Sequence, residues 1–293
     1  MCDADIYGAL SDYLAEAVYV VDRDLRIVHW NRAAERMTGY LRQELCGRRC
    51  QDDLLMHCTP DGEVLCENSC PLRQAMVQGV PRRETLYFRH KNGYRIAAST
   101  QSVAVRDPRG TVVGAAAIFE LVHSAGSGAE EPDAYLDPDT QLQQRTYAEF
   151  RLSQRLARLE RFGVPLGWLR IDLEEAGDLE RRFGRPAVEA AAALVARTLV
   201  NCASDIDFLA RWGPTSFRAA LGNRSPEHLL SAARRLAAAL NASELEWWGD
   251  PVRLTVSVGG ACAHHGDTVA SLEERAAAAL ESSRRLRQAI TTS

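Results

Sequence analysis

Nothing in this 293-residue sequence approaches the run of ~20 apolar residues that a membrane-spanning helix requires. A secretory leader is not expected either, because the start, Met1, Cys2, Asp3, Ala4, Asp5, is acidic where a leader is basic. An excess of one charge is also missing: 35 Lys plus Arg face 39 Asp plus Glu, a formal net charge of −4. That balance excludes the basic footprint of a general nucleic-acid binder. No internal repeat of fixed period is visible, and the eight cysteines include no Cys-x2-Cys pair of the zinc-finger kind. These absences predict a cytoplasmic protein with no membrane and no nucleic-acid partner. In a reducing cytosol the cysteines are not expected to form a disulfide framework.

What is present is ordinary globular composition, 46% hydrophobic and 25% charged. The length suits two domains. Residues 123–132 are small, polar and glycine-containing, without apolar periodicity, and read as a flexible linker. The expected organisation is therefore a first domain over 6–122, a linker over 123–132 and a second domain over 133–293.

The first segment predicts an amphipathic helix over 6–16, a hairpin of strands 17–21 and 27–30, and short helices near 32–37 and 41–45. A helix over 71–78 follows, with Pro71 in its first turn and Gly79 just past its end. Strands over 84–90, 95–105 and 111–121 complete it, joined by turns at Lys91, Asn92, Gly93 and at Asp107, Pro108, Arg109, Gly110. The layout is α+β, an antiparallel sheet with small helices. It resembles the PAS family in ordered motifs: Val20, Val21, Asp22; Trp30, Asn31 and Glu35; Thr38, Gly39, Tyr40; Glu44 to Gly47; His90 to Gly93; and Asp107 to Gly110. The resemblance implies a sensory and dimerisation module and does not name a ligand.

The second segment predicts helices over 145–161, 185–199 and 226–240 and a terminal Ala- and Arg-rich helix. Strands are expected at 166–173, 208–212, 217–221 and 253–261, which makes an α/β sheet covered by helices. The frame resembles the GGDEF, or diguanylate cyclase, family through Asp137 to Thr140, Ile171, Asp172 and Leu173, Leu209 to Gly213, Phe217, and Thr255 to Gly259. Membership implies joining two GTP into cyclic di-GMP. Such chemistry needs divalent metal on carboxylates, a phosphate cradle and in-line placement of the attacking hydroxyl.

Several residues depart from the family pattern. Where the family has Gly-Gly-Asp/Glu-Glu-Phe, this chain has Gly213, Pro214, Thr215, Ser216, Phe217. Proline removes a backbone donor and fixes φ, and two hydroxyls do not replace two carboxylates around Mg²⁺. Asp172 matches the first metal-binding acid, and Glu174 stands where a second is usual. Glu180, Arg181 and Glu189 occupy base-reading positions, and Ala176 and Gly177 replace a Phe-Lys pair. Arg284 matches a phosphate-binding lysine, and Gln288 stands where a second base is expected. The product-inhibition motif reads Ser204, Asp205, Ile206, Asp207 and lacks its arginine. Asp172, Glu174, Glu180 and Glu189 are thus vestigial metal or nucleotide positions, and no catalytic residue is assigned.

Cys46, Cys50, His57, Cys58, Cys66 and Cys70 crowd one stretch of the first segment. Thiolate and imidazole suit Zn²⁺, iron or an iron–sulfur centre. A cysteine just before the helix at Pro71 is expected to have a lowered pKa, which also suits redox chemistry. A third reading is structural cysteines with nothing bound. A subset of PAS domains ahead of GGDEF domains is similar here, and that resemblance implies Cys50, His57, Cys66 and Cys70 as the ligand set. Cys46 and Cys58 are then extras, with Cys46 expected to be buried. No Asn-Cys-Arg-Phe segment is present, so flavin is not expected. His57 and His90 are the available haem ligands, and haem is not expected on a lone histidine. His264 and His265 are expected to be solvated. Trp247 and Trp248 read either as an interface anchor or as one core and one loop-covering ring.

The sequence-level expectation is a PAS sensor controlling a catalytically inactive GGDEF domain, a homodimer and scaffold for an unidentified signalling protein. The alternatives are an active diguanylate cyclase and a GTP or cyclic di-GMP receptor.

Overall fold

The computed structural model describes residues 8–52, 54–66, 69–122, 133–174, 176–202, 206, 208–222, 225–286 and 290–292. The expected linker lies outside them. The chain divides into two compact units, residues 1–122 and 123–293.

In the first unit, strands β1 (Ala17–Asp22), β2 (Ile27–Trp30), β3 (Arg82–Arg89), β4 (Arg95–Arg106) and β5 (Val112–Leu121) form one antiparallel sheet in the order β2-β1-β5-β4-β3. Helices α1 (Arg32–Thr38), α2 (Arg42–Leu45) and α3 (Pro71–Gln78) lie between β2 and β3 in sequence. Tyr19, Trp30, Leu45, Leu55, Phe88 and Phe119 build the core, and Cys50 and Cys70 belong to it. Alternation along β1 puts Ala17, Tyr19 and Val21 inward, as a half-buried strand requires. Gly114 is needed where β5 crosses β1, since a Cβ there would lie 2.0 Å from the Val21 carbonyl oxygen.

The helix expected over 6–16 is shorter: the described helical residues are 8–11, and a turn follows. The cause is Asn31. Its Oδ1 accepts from the Ala34 and Val18 amides, capping α1, while its Nδ2 donates to the Ser11 and Glu16 carbonyls and bends the chain there.

In the second unit, β6 (Gln143–Gln144), β7 (Leu166–Leu173), β8 (Phe208–Gly213), β9 (Ser216–Gly222), β12 (Val256–Cys262) and β13 (Ile290–Thr292) form a sheet in the order β13-β12-β7-β9-β8-β6. The helices are α4 (Arg145–Phe162), α5 (Ala176–Phe183), α6 (Arg185–Cys202), α7 (Pro226–Asn241) and α8 (Val269–Leu286). Leu152 and Leu156 of α4 and Leu272 and Ala276 of α8 pack with Trp168, Phe208 and Ala261 in one core.

Several elements differ from expectation, the short strands β6 and β13 among them. Helix α5 forms over residues read only as motif positions. The single strand expected over 253–261 is split: Asp250–Arg253 is β11, paired in a separate hairpin with β10 (Glu244–Trp247), and β12 begins at Val256. Trp248 (φ 53°) and Gly249 (φ 89°) supply the two left-handed residues of that hairpin turn.

Helix α8 lies tightly on β12 at Gly259, where a Cβ would meet the Leu280 amide nitrogen at 2.3 Å and the Ala276 carbonyl oxygen at 2.5 Å. Gly259→Ala is expected to destabilise the protein by about 1–3 kcal/mol, because backbone has to move. Gly177→Ala, on helix α5 with its nearest neighbour 3.6 Å away, is expected to be neutral or stabilising. Urea unfolding of the two variants checks the contrast.

Candidate functional site

Strands β8 and β9 are joined by Pro214 and Thr215, with Gly213 paired to Ser216 across the turn. Proline's fixed φ suits the second position of such a turn. The Thr215 carbonyl accepts from the Leu173 amide at 2.9 Å, tying the turn to the end of β7. Ser216 sits opposite Asp172 in the β7–β9 ladder, and its Oγ donates to Asp172 Oδ1 at 2.6 Å. Phe217 is fully buried.

Asp172 is 8% exposed and surrounded by guanidinium groups. Its Oδ2 accepts from Arg170 at 2.9 and 3.1 Å and lies 3.5 Å from Arg284. Its Oδ1 lies 3.7 Å from Arg218. Arg218 is 1% exposed and grips Glu273 with two prongs, 2.7 and 3.0 Å, while also donating to Ser216 Oγ and the Phe217 carbonyl. Burial pulls the Arg218 pKa down, against the opposing pull of Glu273. Glu273 in turn accepts from the Trp168 indole at 2.5 Å. Glu174 is taken by Arg284 at 2.7 Å, and Arg284 also reaches Glu281 at 2.6 Å. Burial acts against the Arg284 charge, and its bonds to Glu174 and Glu281 outweigh that, leaving its pKa above the ordinary value.

A divalent magnesium ion needs carboxylate and water oxygens in an octahedral shell. Asp172 and Glu174 instead spend their oxygens on arginines, and among the described residues no three His, Cys, Asp or Glu side chains are grouped to hold a metal ion. The residues present do not fit the ion. Arg170, Arg218 and Glu273 were not singled out from the sequence. The period-2 face of β7 carried the signal: Arg170 and Asp172 point the same way, opposite Arg218 and Ser216 of β9.

Beside this network lies a cleft of about 880 Å³ between the β8–β9 turn and helices α5 and α6. Among the described residues its charged lining is Asp137, Asp139, Glu180 and Glu189 against Arg145, Arg185 and Arg211, four carboxylates to three guanidiniums. Each of those arginines is already paired: Arg145 with Glu149, Arg185 with Glu189, and Arg211 with Asp137 and Asp139. Burial alone would raise the Asp137 pKa, but Thr140 and Arg211 hold it below the usual carboxylate range. The Trp212 ring has the guanidiniums of Arg145 and Arg218 each 5.1 Å from its centre. Glu180 and Glu189 line the cleft, and Glu189 pairs with Arg185. Arg181 pairs with Asp178 instead. Ser204, Asp205, Asp207 and Gln288 lie outside the described residues.

In the first unit, the cysteine stretch is mostly interior. Cys50, Cys58, Cys66 and Cys70 are buried, and Cys46 is exposed, against expectation. Cys46 follows the last residue of the one-turn helix α2, whose buried residue is Leu45. His57 is buried between partners: its Nε2 lies 3.1 Å from the Tyr19 hydroxyl and its Nδ1 3.6 Å from Cys66 Sγ. Burial, with help from Arg95, lowers the His57 pKa to about 4, so the ring is neutral at neutral pH. Burial raises the Cys66 thiol pKa to about 11, and Cys50 is also raised, by burial and then by Cys70 and Cys66. His90 is also buried, stacked on Tyr94, while His264 and His265 are exposed. Trp248, at 92% exposure on the β10–β11 turn, is open to solvent, and Trp247 is half-buried. Among the described residues no helix is long and apolar enough to cross a membrane.

Family models match the chain twice. The diguanylate cyclase GGDEF domain matches residues 134–289 and a PAS domain matches residues 15–120. The chain is 30% identical over 152 residues to diguanylate cyclase DgcP of Pseudomonas aeruginosa, covering 52% of this chain and 23% of that protein. It therefore spans about a quarter of that relative. Two solved structures share the fold of the second unit at a TM-score of 0.51 and 22% identity. The coiled coil and GGDEF domain of Caulobacter crescentus DgcB, in complex with c-di-GMP, covers 55% of this chain and 86% of its own. Pseudomonas aeruginosa diguanylate cyclase SiaD, in complex with its activator SiaC, covers 52% and 59%.

Arg218→Met leaves Asp172 and Glu273 without their buried cation and is expected to cost about 3–5 kcal/mol. Arg284→Met, on a partly exposed and screened pair, is expected to cost less than ~1 kcal/mol. Urea unfolding followed by tryptophan fluorescence compares them, with Trp168 beside Glu273 as reporter.

Proposed function

This chain belongs to the GGDEF, or diguanylate cyclase, family and carries a PAS domain ahead of that half, and from this premise we propose that the GGDEF half is catalytically inactive. The protein would then work as a signalling scaffold, a homodimer whose PAS half controls how the GGDEF half engages a partner. The observation that carries the reading is the arginine ring around Asp172 and Glu174. Phosphoryl transfer between two triphosphates relies on metal charge at the reacting oxygens. In this chain the family's acids are neutralised internally, and the turn presents Pro214, Thr215 and Ser216 in place of carboxylates. Removing one preorganised charge already costs orders of magnitude in rate.

The cleft also speaks for a scaffold over a nucleotide receptor. A triphosphate seeks unpaired cations, whereas the cleft's lining arginines are each engaged and outnumbered by carboxylates. A scaffold needs a contact surface, and Trp248 on its hairpin offers an exposed aromatic of the type that anchors interfaces. SiaD, with its activator SiaC, is a relative by fold whose partner is a second protein. A partner of that general kind suits this chain. For the input, the thiols of Cys50, Cys66 and Cys70 with the His57 imidazole are the donors on offer for a soft metal ion, although none is grouped to hold one.

Purified protein incubated with GTP and Mg²⁺ is expected to yield no cyclic di-GMP by chromatography. Formation of the product overturns the scaffold reading. Elemental analysis of protein prepared without chelators tests the input. About one Zn or Fe per chain supports the metal reading. No metal, together with unchanged folding of Cys66→Ala, leaves the cysteines as core packing.

A further inference from the structure

A second concave site lies on the surface of the PAS half, with a volume of about 450 Å³. That is within the range of small-molecule pockets. Three guanidiniums line it: Arg23 from the β1–β2 turn, Arg49 from the segment after α2, and Arg73 from the first turn of α3. Among the described lining residues there is one carboxylate, Asp24, so their charged groups sum to +2 in a chain whose net charge is −4.

The pairing of these arginines sets them apart. Arg23 is aimed by its Nε, which donates to the Val112 carbonyl at 2.6 Å and leaves the rest of the fork unclaimed. Among the described residues, no hydrogen bond or ion pair engages the side chain of Arg49 or Arg73, although the Arg73 charge acts on the nearby Cys50 thiol. In the cleft and the Asp172 network of the second unit, by contrast, Arg145, Arg185, Arg211, Arg218 and Arg284 all sit on carboxylates. Like charges held together repel, and an arriving anion removes that repulsion. Guanidinium forks match phosphate and carboxylate oxygens in geometry as well as charge. Met76 and Val112 add apolar wall, which suits the carbon skeleton of an organic anion better than a bare ion.

We propose that this pocket is a binding site for a small organic oxyanion, a phosphate ester or a dicarboxylate, held by Arg23, Arg49 and Arg73. The site borders the cysteine stretch. Gln51, also on its lining, donates through Nε2 to the Cys66 carbonyl at 2.5 Å, and Arg73 is carried by the helix that Cys70 precedes. An anion there acts on the segment that closes the PAS core, and a sensor domain uses such a connection to report occupancy.

Isothermal titration calorimetry of the full chain with glycerol 3-phosphate and, separately, with malate tests the site, with sodium chloride at matched ionic strength as control. Saturable one-to-one binding with a Kd below about 1 mM is expected for at least one of the two, and which one binds identifies the oxyanion. Arg49→Gln/Arg73→Gln is expected to weaken that binding at least about tenfold, the loss of charge-assisted hydrogen bonds. Arg234→Gln, on helix α7 of the second unit and outside this lining, is expected to leave it unchanged. Both variants alter exposed side chains, and matching thermal melts without ligand confirm their folding. No saturable heat from either anion, a response that chloride reproduces, or a double variant that binds as tightly as the natural chain overturns the proposal.

Discussion

A carboxylate withdrawn from water has to be met by a cation, and around Asp172 that cation is arginine. Asp172 stands at the end of the central strand β7, next to the turn that links β8 to β9, where a charged oxygen is nearly out of solvent. Arg170, Arg218 and Arg284 approach it from its own strand, the neighbouring strand and the terminal helix α8. Three elements are thereby tied to one side chain. A metal ion in the same place would do the same structural work, but it would keep ligand positions open for water or phosphate. In this chain guanidinium groups engage the Asp172 carboxylate and Glu174 Oε1, while the sheet order and the turn remain in place around them.

Desolvation governs the PAS half as well, with a different result. The thiols of Cys50 and Cys66 are buried with few compensating charges, so they are held as neutral S–H groups and behave as small apolar side chains. His57 stays neutral for the same reason, fixed by the Tyr19 hydroxyl on one nitrogen and facing Cys66 with the other. Arg95 is buried nearby and donates to the Met56 carbonyl at 2.6 Å, so its charge is spent on backbone and opposes protonation of the ring. The two halves thus answer one physical problem in opposite ways, by pairing charges in one and by suppressing them in the other.

Arginine supplies nearly all of the positive charge: Lys91 is the single lysine among 35 basic residues. A planar fork with five donors can grip one carboxylate with two prongs while donating to a hydroxyl and a carbonyl, as Arg218 does, where an ammonium point charge could not. The same fork with no acid beside it among the described residues, as at Arg49 and Arg73, is the basis of the proposed anion site.

Much of the architecture was legible in the sequence because it rests on local rules. Apolar runs and turn signals marked the strands of the first sheet, Pro71 and Gly79 bracketed α3, and the helix expected from 226 formed as α7. The altered turn from Gly213 to Phe217 was legible too, since loss of a carboxylate is a fact of composition. Other features depended on what lies far away in sequence. The helix over 6–16 was cut short by Asn31, the strand over 253–261 was divided by a hairpin that sets Trp248 outside, and Cys46 faced solvent although its neighbour Leu45 did not. Arg218 looked like any strand arginine until the ladder placed it beside Asp172 and α8 brought Glu273 over it. Residue types by themselves determined which ligands this chain lacks. The tertiary structure alone decided which charges meet, because ion pairing and desolvation depend on distance through space, and the residues concerned stand up to 110 positions apart.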